Sequence, residues 1–203
     1  MDQAHAVRRG RTMKVVAFNG SPRNNGNTHQ ALQIVLDELK ADGIEVELVN
    51  IADKHLEPCH ACGACGRNKD QRCVYDKDRL NDWVQLMAKA DGILLGSPVY
   101  FGSMSAQMKA LIDRAGYVAR ANGDLFQRKV GAAVAVNRRA GALTTFDHMN
   151  HFFLIGQMIV PGSNYWNIVN ALKPGDILAD EEGIRTLKTL GKNMAWLLRK
   201  VRQ

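Results

Sequence analysis

The sequence predicts an α/β fold in which five parallel strands form one sheet with helices on both faces. Continuous apolar runs alternate with segments of helical periodicity from residue 13 onward. These runs lack the alternation of a half-exposed strand, as is typical of strands buried on both faces of a parallel sheet. Right-handed crossovers leave few topologies for such a chain, and the strand order 2-1-3-4-5 is a common one.

The elements of the first half follow from apolar spacing and from the residues that end each segment. The predicted elements are strand Met13–Asn19, helix Thr28–Asp42, strand Ile44–Ile51, helix Asp78–Ala90 and strand Gly92–Ser97. Each helix carries an apolar face at helical spacing. Gly43 is a natural C-cap for the first helix, and Pro98 stops the third strand.

The second half continues the same alternation. The predicted elements are helix Ser105–Ala119, strand Lys129–Asn137, helix Leu143–Ile155, a short fifth strand Gln157–Pro161, a loop Gly162–Ala179 and a closing helix of about Glu181–Val201. No internal repeat, low-complexity tract or interdomain linker interrupts them, so we expect residues 13–203 to form a single domain.

Composition narrows the class of protein. We expect residues 1–12 to be a disordered basic tail. The arginine pair Arg8–Arg9 could start an export signal, but the apolar stretch that follows, Val15–Phe18, is too short for the hydrophobic region of such a signal. Apolar runs fall short of the roughly 20 residues of a membrane span. The formal net charge is +7, yet the basic residues are dispersed and not interleaved with aromatics. We therefore expect a cytoplasmic protein that binds neither membrane nor nucleic acid.

The segment Gly20–Thr28 joins the first strand to the first helix and has the chemistry of a phosphate site. Glycines let the backbone approach an anion, and free amides at the start of the helix donate to it. Further donors are supplied by Ser21, Arg23, Asn27 and Thr28. The segment is neither a P-loop nor a dinucleotide fingerprint. The alternative interpretation is a polar turn in which Thr28 simply caps the helix.

All four cysteines lie in one loop, residues 57–75, with the spacing Cys59-x2-Cys62-x2-Cys65-x7-Cys73. Clustered cysteines in a cytoplasmic chain indicate metal or redox chemistry. Three cysteines at this spacing can wrap one cubane cluster and a fourth completes the ligand set, whereas structural zinc more often uses two separated pairs. Zinc, a reactive dithiol and a loop without metal remain open. His55 and His60 could substitute as ligands, but each is more often a surface histidine.

Three segments resemble a known family. Gly20–Thr28 reads Gly-Ser-Pro-Arg-x-x-Gly-Asn-Thr, Gly96–Ser103 follows the third strand, and Asn137–Gly141 follows the fourth. Together they are similar to the NADPH-dependent FMN reductase branch of the flavodoxin-like proteins, over about residues 13–198. The resemblance implies a flavodoxin-like three-layer sandwich that binds FMN. It places the phosphate on Ser21, Arg23, Asn27 and Thr28, and the flavin ring along Pro98, Val99, Tyr100, Phe101, Gly102, Asn137 and Arg138.

The cysteine loop is similar to the compact motif of the iron–sulfur flavoproteins, a subgroup of that family. This resemblance implies a [4Fe–4S] cluster on Cys59, Cys62, Cys65 and Cys73. It also implies a small-molecule or protein redox partner, with NAD(P)H and ferredoxin as candidate donors. Relatives assemble as dimers or tetramers, so we expect a homodimer or homotetramer, with Tyr165 and Trp166 as candidate interface anchors.

The predicted function is that of an FMN-dependent oxidoreductase that passes electrons between flavin and cluster. No nucleophile arrangement is evident and electron transfer requires no side-chain acid or base, so we name no catalytic residue, although Tyr100 is the nearest candidate. Two alternatives remain: an NAD(P)H-dependent FMN or quinone reductase without a cluster, and a flavin-binding redox-sensing module that turns over no donor.

Overall fold

A computed structural model describes residues 12–52 and 55–202, which form one five-stranded sheet flanked by helices. The strands are β1 (Lys14–Asn19), β2 (Glu45–Asn50), β3 (Gly92–Pro98), β4 (Val130–Asn137) and β5 (Ile168–Asn170). The helices are α1 (Asn27–Ala41), α2 (Ala64–Asn68), α3 (Leu80–Lys89), α4 (Ala106–Ala121), α5 (Ala142–Ile155) and α6 (Glu181–Arg202), with a 3₁₀ turn at Asp176–Ala179. The expected basic tail lies outside the described residues, except for the exposed Thr12.

The strand order is β2-β1-β3-β4-β5 and every pairing is parallel, which confirms the predicted topology. Asn19 at the end of β1 is level with Asn50 of β2 and with Gly96 of β3. The loops that follow these strands therefore leave from one edge of the sheet. Ligands of open α/β sheets bind at this carboxyl edge.

Helices cover both faces of the sheet, so side chains along each strand alternate between two cores. On β1, Val16 and Phe18 face the core made with α3, α4 and α5. Val15 and Ala17 face the second core, made with α1 and α6. Both layers exclude solvent from the central strands, which explains their continuous apolar sequences. Within the described ranges, every helix is too short or too polar to cross a bilayer.

The fifth strand was predicted wrongly at Gln157–Pro161. In the structure only Ile159 of that segment bridges to β4, opposite Val130, and β5 begins nine residues later at Ile168. Pro161 has no N–H to continue the ladder, and the chain leaves the edge there. It returns at Ile168–Asn170 beside the last residues of β4. The predicted loop Gly162–Ala179 thus contains the real edge strand and the 3₁₀ turn.

Candidate functional site

The loop between β1 and α1 is anchored to the neighbouring strand at its first residue. The N–H of Gly20 donates to the carbonyl oxygen of Gly96 at 2.8 Å. A Cβ at position 20 would lie 3.0 Å from Ser105 Oγ and 3.1 Å from Met108 Cβ. Because a side chain would push this loop away from β3 and α4, the position favours glycine. The loop therefore lies beside the turn that follows β3.

The N-terminus of α1 offers free donors to an anion. Gly26 is the N-cap, no side chain caps the helix, and the first turn holds no acidic residue. The N–H of Gly26 itself donates to Arg23 O at 3.0 Å, which closes the turn before the helix. The first N–H groups of a helix lack intrahelical partners, and the helix dipole adds positive charge there. This end of α1 fits a phosphate group.

Three of the four residues predicted to bind phosphate, Ser21, Arg23 and Thr28, lie in the loop before α1 or in its first turn. Ser21 and Thr28 are buried, and the Ser21 hydroxyl accepts a hydrogen bond from the N–H of Arg23 at 3.2 Å. Arg23 is exposed at the surface of the loop. The hydroxyls are therefore fixed by the fold, whereas the guanidinium is free to approach an anion from solvent.

Asn27 has a different environment. Its amide nitrogen donates to Lys173 O at 2.8 Å, and its amide oxygen accepts from the N–H of Gly175 at 2.9 Å. The side chain thus joins the start of α1 to the segment before the 3₁₀ turn. A phosphate contact from this side chain stays a prediction; the backbone N–H of Asn27 lies in the first turn of α1.

The turn after β3 presents two aromatic rings. Tyr100 and Ser103 exchange backbone hydrogen bonds of 2.8 and 3.1 Å, which closes a turn over Phe101 and Gly102. Both of these residues have positive φ, 50° and 78° respectively. A left-handed conformation is rare for a bulky residue, and such strain often marks a ligand site. The Phe101 ring is fully exposed and Tyr100 is 44% exposed, so both can pack against a bound group.

Gly141 brings the loop after β4 against this turn. Its φ is +84°, and a Cβ there would lie 3.0 Å from Val99 Cγ1 and 3.1 Å from Gly102 Cα. The N–H of Val99 also donates to Val136 O at 2.8 Å. The loops after β3 and β4 are therefore in direct contact at the carboxyl edge of the sheet.

Asn137, at the end of β4, carries a buried side-chain oxygen that could accept a hydrogen bond from a bound molecule. The residue is 3% exposed, and its Oδ1 has no hydrogen-bond partner among the described residues. Leaving a buried acceptor unpaired costs about 1–3 kcal/mol, and a donor on a bound molecule removes that cost. Arg138 beside it is exposed. A phosphate cradle, exposed rings and an unpaired acceptor on adjoining loops fit FMN.

The four cysteines face one cavity. Cys59, Cys62, Cys65 and Cys73 all line a space of about 350 Å³ beside α4. Left-handed residues at Ala61 and Gly63, with φ of 51° and 68°, turn the chain sharply between the first three thiols. The unpredicted short helix α2 follows, with Cys65 in its first turn. The first three thiols therefore lie on a tightly turned segment that lines the cavity.

The thiols are not drawn together into a set that would hold one metal ion, as far as residues 12–52 and 55–202 are concerned. A thiolate donor set suits an iron–sulfur cluster, so the residues that line the cavity fit one by their chemistry; zinc also binds thiolates. His60 also borders the cavity, but its ring is 57% exposed and lies 3.7 Å from Glu57.

One of the residues that line the cysteine cavity, Arg114, belongs to a buried ion pair. Arg114 of α4 pairs with Asp78, and their side chains are 2% and 0% exposed. The guanidinium also donates to Cys73 Sγ at 3.3 Å and to Tyr75 O at 2.8 Å. Burial lowers the pKa of Arg114, but the hydrogen bonds to Asp78 and Cys73 outweigh burial and raise it overall. The group therefore remains a cation at the wall of the cavity.

Comparison with known proteins agrees with this geometry. A sequence model of the NADPH-dependent FMN reductase family matches residues 13–173. The chain belongs to this family. It is 39% identical to an iron–sulfur flavoprotein of Methanocaldococcus jannaschii over 198 residues, which cover 94% of this chain and all of that protein. An iron–sulfur flavoprotein of Methanosarcina thermophila is 39% identical over 154 residues, or 75% of this chain and 78% of that one.

A solved flavodoxin-type structure, the WrbA-like protein from Agrobacterium tumefaciens, shares the fold with a TM-score of 0.66. Its sequence identity is 16%, and the match covers 94% of this chain and 99% of that one. The flavodoxin-like fold expected from the sequence is thus confirmed, and membership in the FMN reductase family makes the protein a flavin-dependent oxidoreductase.

Sequence reasoning missed Arg114 and its ion-pair partner Asp78. Arg114 lies on the apolar face of α4 between Leu111 and Val118, a position where helical spacing predicts a core residue. A charge at such a position signals a buried partner. The sequence does not reveal that the partner is Asp78, 36 residues earlier and just after the cysteine loop.

Proposed function

We propose that this protein is an electron-transfer flavoprotein that passes electrons between FMN and a [4Fe–4S] cluster. The observation that carries the proposal is the single cavity lined by all four cysteines, next to a helix that begins at the flavin turn. When bound, FMN takes up a hydride or single electrons and the cluster takes up single electrons, so the pair can link two-electron and one-electron partners.

Different residues of the chain would hold the two groups. The first turn of α1, with Ser21, Arg23 and Thr28, would hold the FMN phosphate. The turn at Phe101 would cover the flavin ring, and Asn137 Oδ1 would accept a hydrogen bond from it. Cys59, Cys62, Cys65 and Cys73 would ligate the cluster.

Helix α4 connects the two sites. Its N-cap Ser105 lies next to the flavin turn, and Ser105 Oγ accepts from the N–H of Met108. Arg114 lies nine residues further along the same helix, roughly 14 Å at the usual rise per residue. The rigid helix would fix the separation of the two groups within one subunit. The names of the two archaeal relatives, both iron–sulfur flavoproteins, support this assignment.

Metal analysis after anaerobic purification tests the cluster. We expect iron and acid-labile sulfide in the amounts of one cluster per chain, together with FMN. A Cys59→Ser protein should lose the iron, keep the FMN and lose electron transfer to one-electron acceptors. His60→Ala is the matched control and should retain iron. Zinc in place of iron, or flavin alone, contradicts the proposal and favours a reductase without a cluster.

The electron donor follows from charge and family. We propose a ferredoxin-type protein donor, since the net charge of +7 suits an acidic partner. NADPH is the alternative that the family name implies. Anaerobic mixing with each donor, followed by flavin absorbance, separates the two. We expect fast bleaching by reduced ferredoxin that slows as salt is added, because salt screens the attraction. Fast bleaching by NADPH alone would reject the protein donor.

A further inference from the structure

We infer that Arg114 is a positioning residue for the metal centre: it holds Cys73 in the ligand set and raises the reduction potential of the cluster. The inference rests on the proposed function and concerns a residue outside the four ligands. Arg114 is buried and belongs to the lining of the cysteine cavity.

The hydrogen bonds of Arg114 are directed to the cysteine segment. One guanidinium nitrogen, Nη1, donates to Asp78 and to Glu57 O at 3.2 Å. The other, Nη2, donates to Cys73 Sγ at 3.3 Å and to Tyr75 O at 2.8 Å. A guanidinium buried in an apolar helix face is costly unless its donors are paired. The groups that offset this cost, Glu57 O, Asp78, Cys73 Sγ and Tyr75 O, lie within residues 57–78.

These contacts join the two ends of the segment. Glu57 lies two residues before the first thiol, Cys59, and Tyr75 lies two residues after the last, Cys73. The Asp78 carboxylate also accepts a hydrogen bond from the N–H of Glu57 at 3.2 Å. One side chain on a rigid helix thus holds both ends of the cysteine segment at a fixed separation.

Cys73 is held by further hydrogen bonds besides the one from Arg114. Asn81 of α3 accepts from the Cys73 N–H at 2.8 Å and donates to its carbonyl oxygen at 3.0 Å. With Arg114 on the sulfur, backbone and side chain of this ligand are both fixed. Cys59 Sγ, by contrast, receives a 3.5 Å hydrogen bond from the nearby N–H of Ala61.

The group that donates a hydrogen bond to Cys73 Sγ is a cation, and its positive charge affects the reduction potential of the cluster. Hydrogen bonds to ligand sulfurs and nearby charge tune the potential of an iron–sulfur cluster. Reduction adds negative charge, which a cationic donor stabilises, so Arg114 favours the reduced state. Burial removes the water that would screen this interaction.

The test compares Arg114→Lys and Arg114→Gln with Arg120→Gln on the same helix. The Arg120 guanidinium contacts Ile155 O and Asp124 rather than a cysteine. Each holoprotein is measured for iron and FMN content and titrated potentiometrically, with the reduced cluster followed by electron paramagnetic resonance. We expect Arg114→Gln to move the cluster midpoint to a more negative potential while the FMN midpoint stays in place. Arg114→Lys should move it less, and Arg120→Gln should match the unaltered protein.

Selective loss of iron with FMN retained, partly rescued in Arg114→Lys, also supports the inference, since it shows that Cys73 is no longer held. Full iron content with an unchanged midpoint in both Arg114 variants overturns it. Loss of FMN together with iron in both variants overturns it too, because the residue would then serve the fold as a whole. Iron missing from the unaltered protein contradicts the proposed function instead, and that result is known before any variant is made.

Discussion

Gly141 determines how closely two loops of the proposed flavin site approach each other. Its positive φ and its contact with Val99 and Gly102 leave no room for a side chain. Gly123 has a similar φ of +81° but open space around its Cβ position, and it precedes β4 rather than following it. Substitutions at these two glycines therefore distinguish the effect of backbone strain from the effect of contact between the loops.

We predict that Gly141→Ala weakens FMN binding about tenfold or more, which corresponds to roughly 1.4 kcal/mol. Gly123→Ala should leave FMN affinity unchanged. Both variants should lose about 1–2 kcal/mol of unfolding free energy, the usual cost of a left-handed residue with a side chain. Flavin fluorescence titration measures the affinity, and urea unfolding of the apoprotein measures the stability. Equal FMN affinities in the two variants would show that contact between the loops does not shape the site.

At the scale of single residues, sequence reasoning found positions whose chemistry is local. Ser21 and Thr28 lie beside the start of α1 because strand, loop and helix are contiguous in the chain. Asn27 was placed in the same loop, yet its side chain is engaged by residues near 175. Arg114 was missed for the same reason. Long-range partners depend on how distant segments pack, and a single sequence does not show that.

Helices α1 and α6 pack against each other at a glycine. A Cβ at Gly191 would lie 2.7 Å from Glu38 Cβ and 2.8 Å from Val35 O of α1. Gly116, inside α4, offers a matched position in a helix interior. A Cβ there would meet only Phe152 ring atoms at an ordinary 3.7 Å.

We predict that Gly191→Ala destabilises the protein by about 1–3 kcal/mol, because the two helices must move apart. Gly116→Ala should be neutral or stabilising by up to about 1 kcal/mol, since alanine is the better helix former. Denaturant unfolding of each variant measures both values. A stability gain at position 191 would mean that the crossing tolerates a methyl group.

The fifth strand shows where element prediction fails. The segments 157–161 and 168–170 both contain apolar residues and both lie beside β4. The sequence pattern of either one is compatible with a short edge strand. Pairing register decides between them, and register depends on contacts with β4 rather than on the segment itself. The long, strongly periodic α6 was predicted almost to the residue, because its apolar face alone specifies it.

On the scale of the whole molecule, the topology could be predicted because few arrangements of alternating strands and helices are allowed. The sheet order then places the loops after β1, β3 and β4 on one edge, which accounts for the candidate flavin site. The position of the cysteine loop beside α4 could not be predicted, since it depends on long-range contacts such as the Arg114–Asp78 pair.

We predict that the protein is a homodimer or homotetramer. The apolar side chains of Tyr117, Leu154 and Ile155 are at least 60% exposed and border one groove, and exposed apolar patches often become buried in assembly. Light scattering of the holoprotein over a range of concentrations measures the mass. A constant mass of 22.5 kDa, that of one chain, would contradict this expectation.

The separate anchoring of the two sites has a consequence for the life of the protein in a cell. The flavin loops are held to one another around Gly20 and Gly141, while the cysteine segment is held to α3 and α4 by Arg114, Asp78 and Asn81. The residues that line the cysteine cavity are distinct from those of the flavin loops. We therefore predict that FMN and the proposed cluster can be loaded in either order, and that a protein without iron keeps its FMN and its fold.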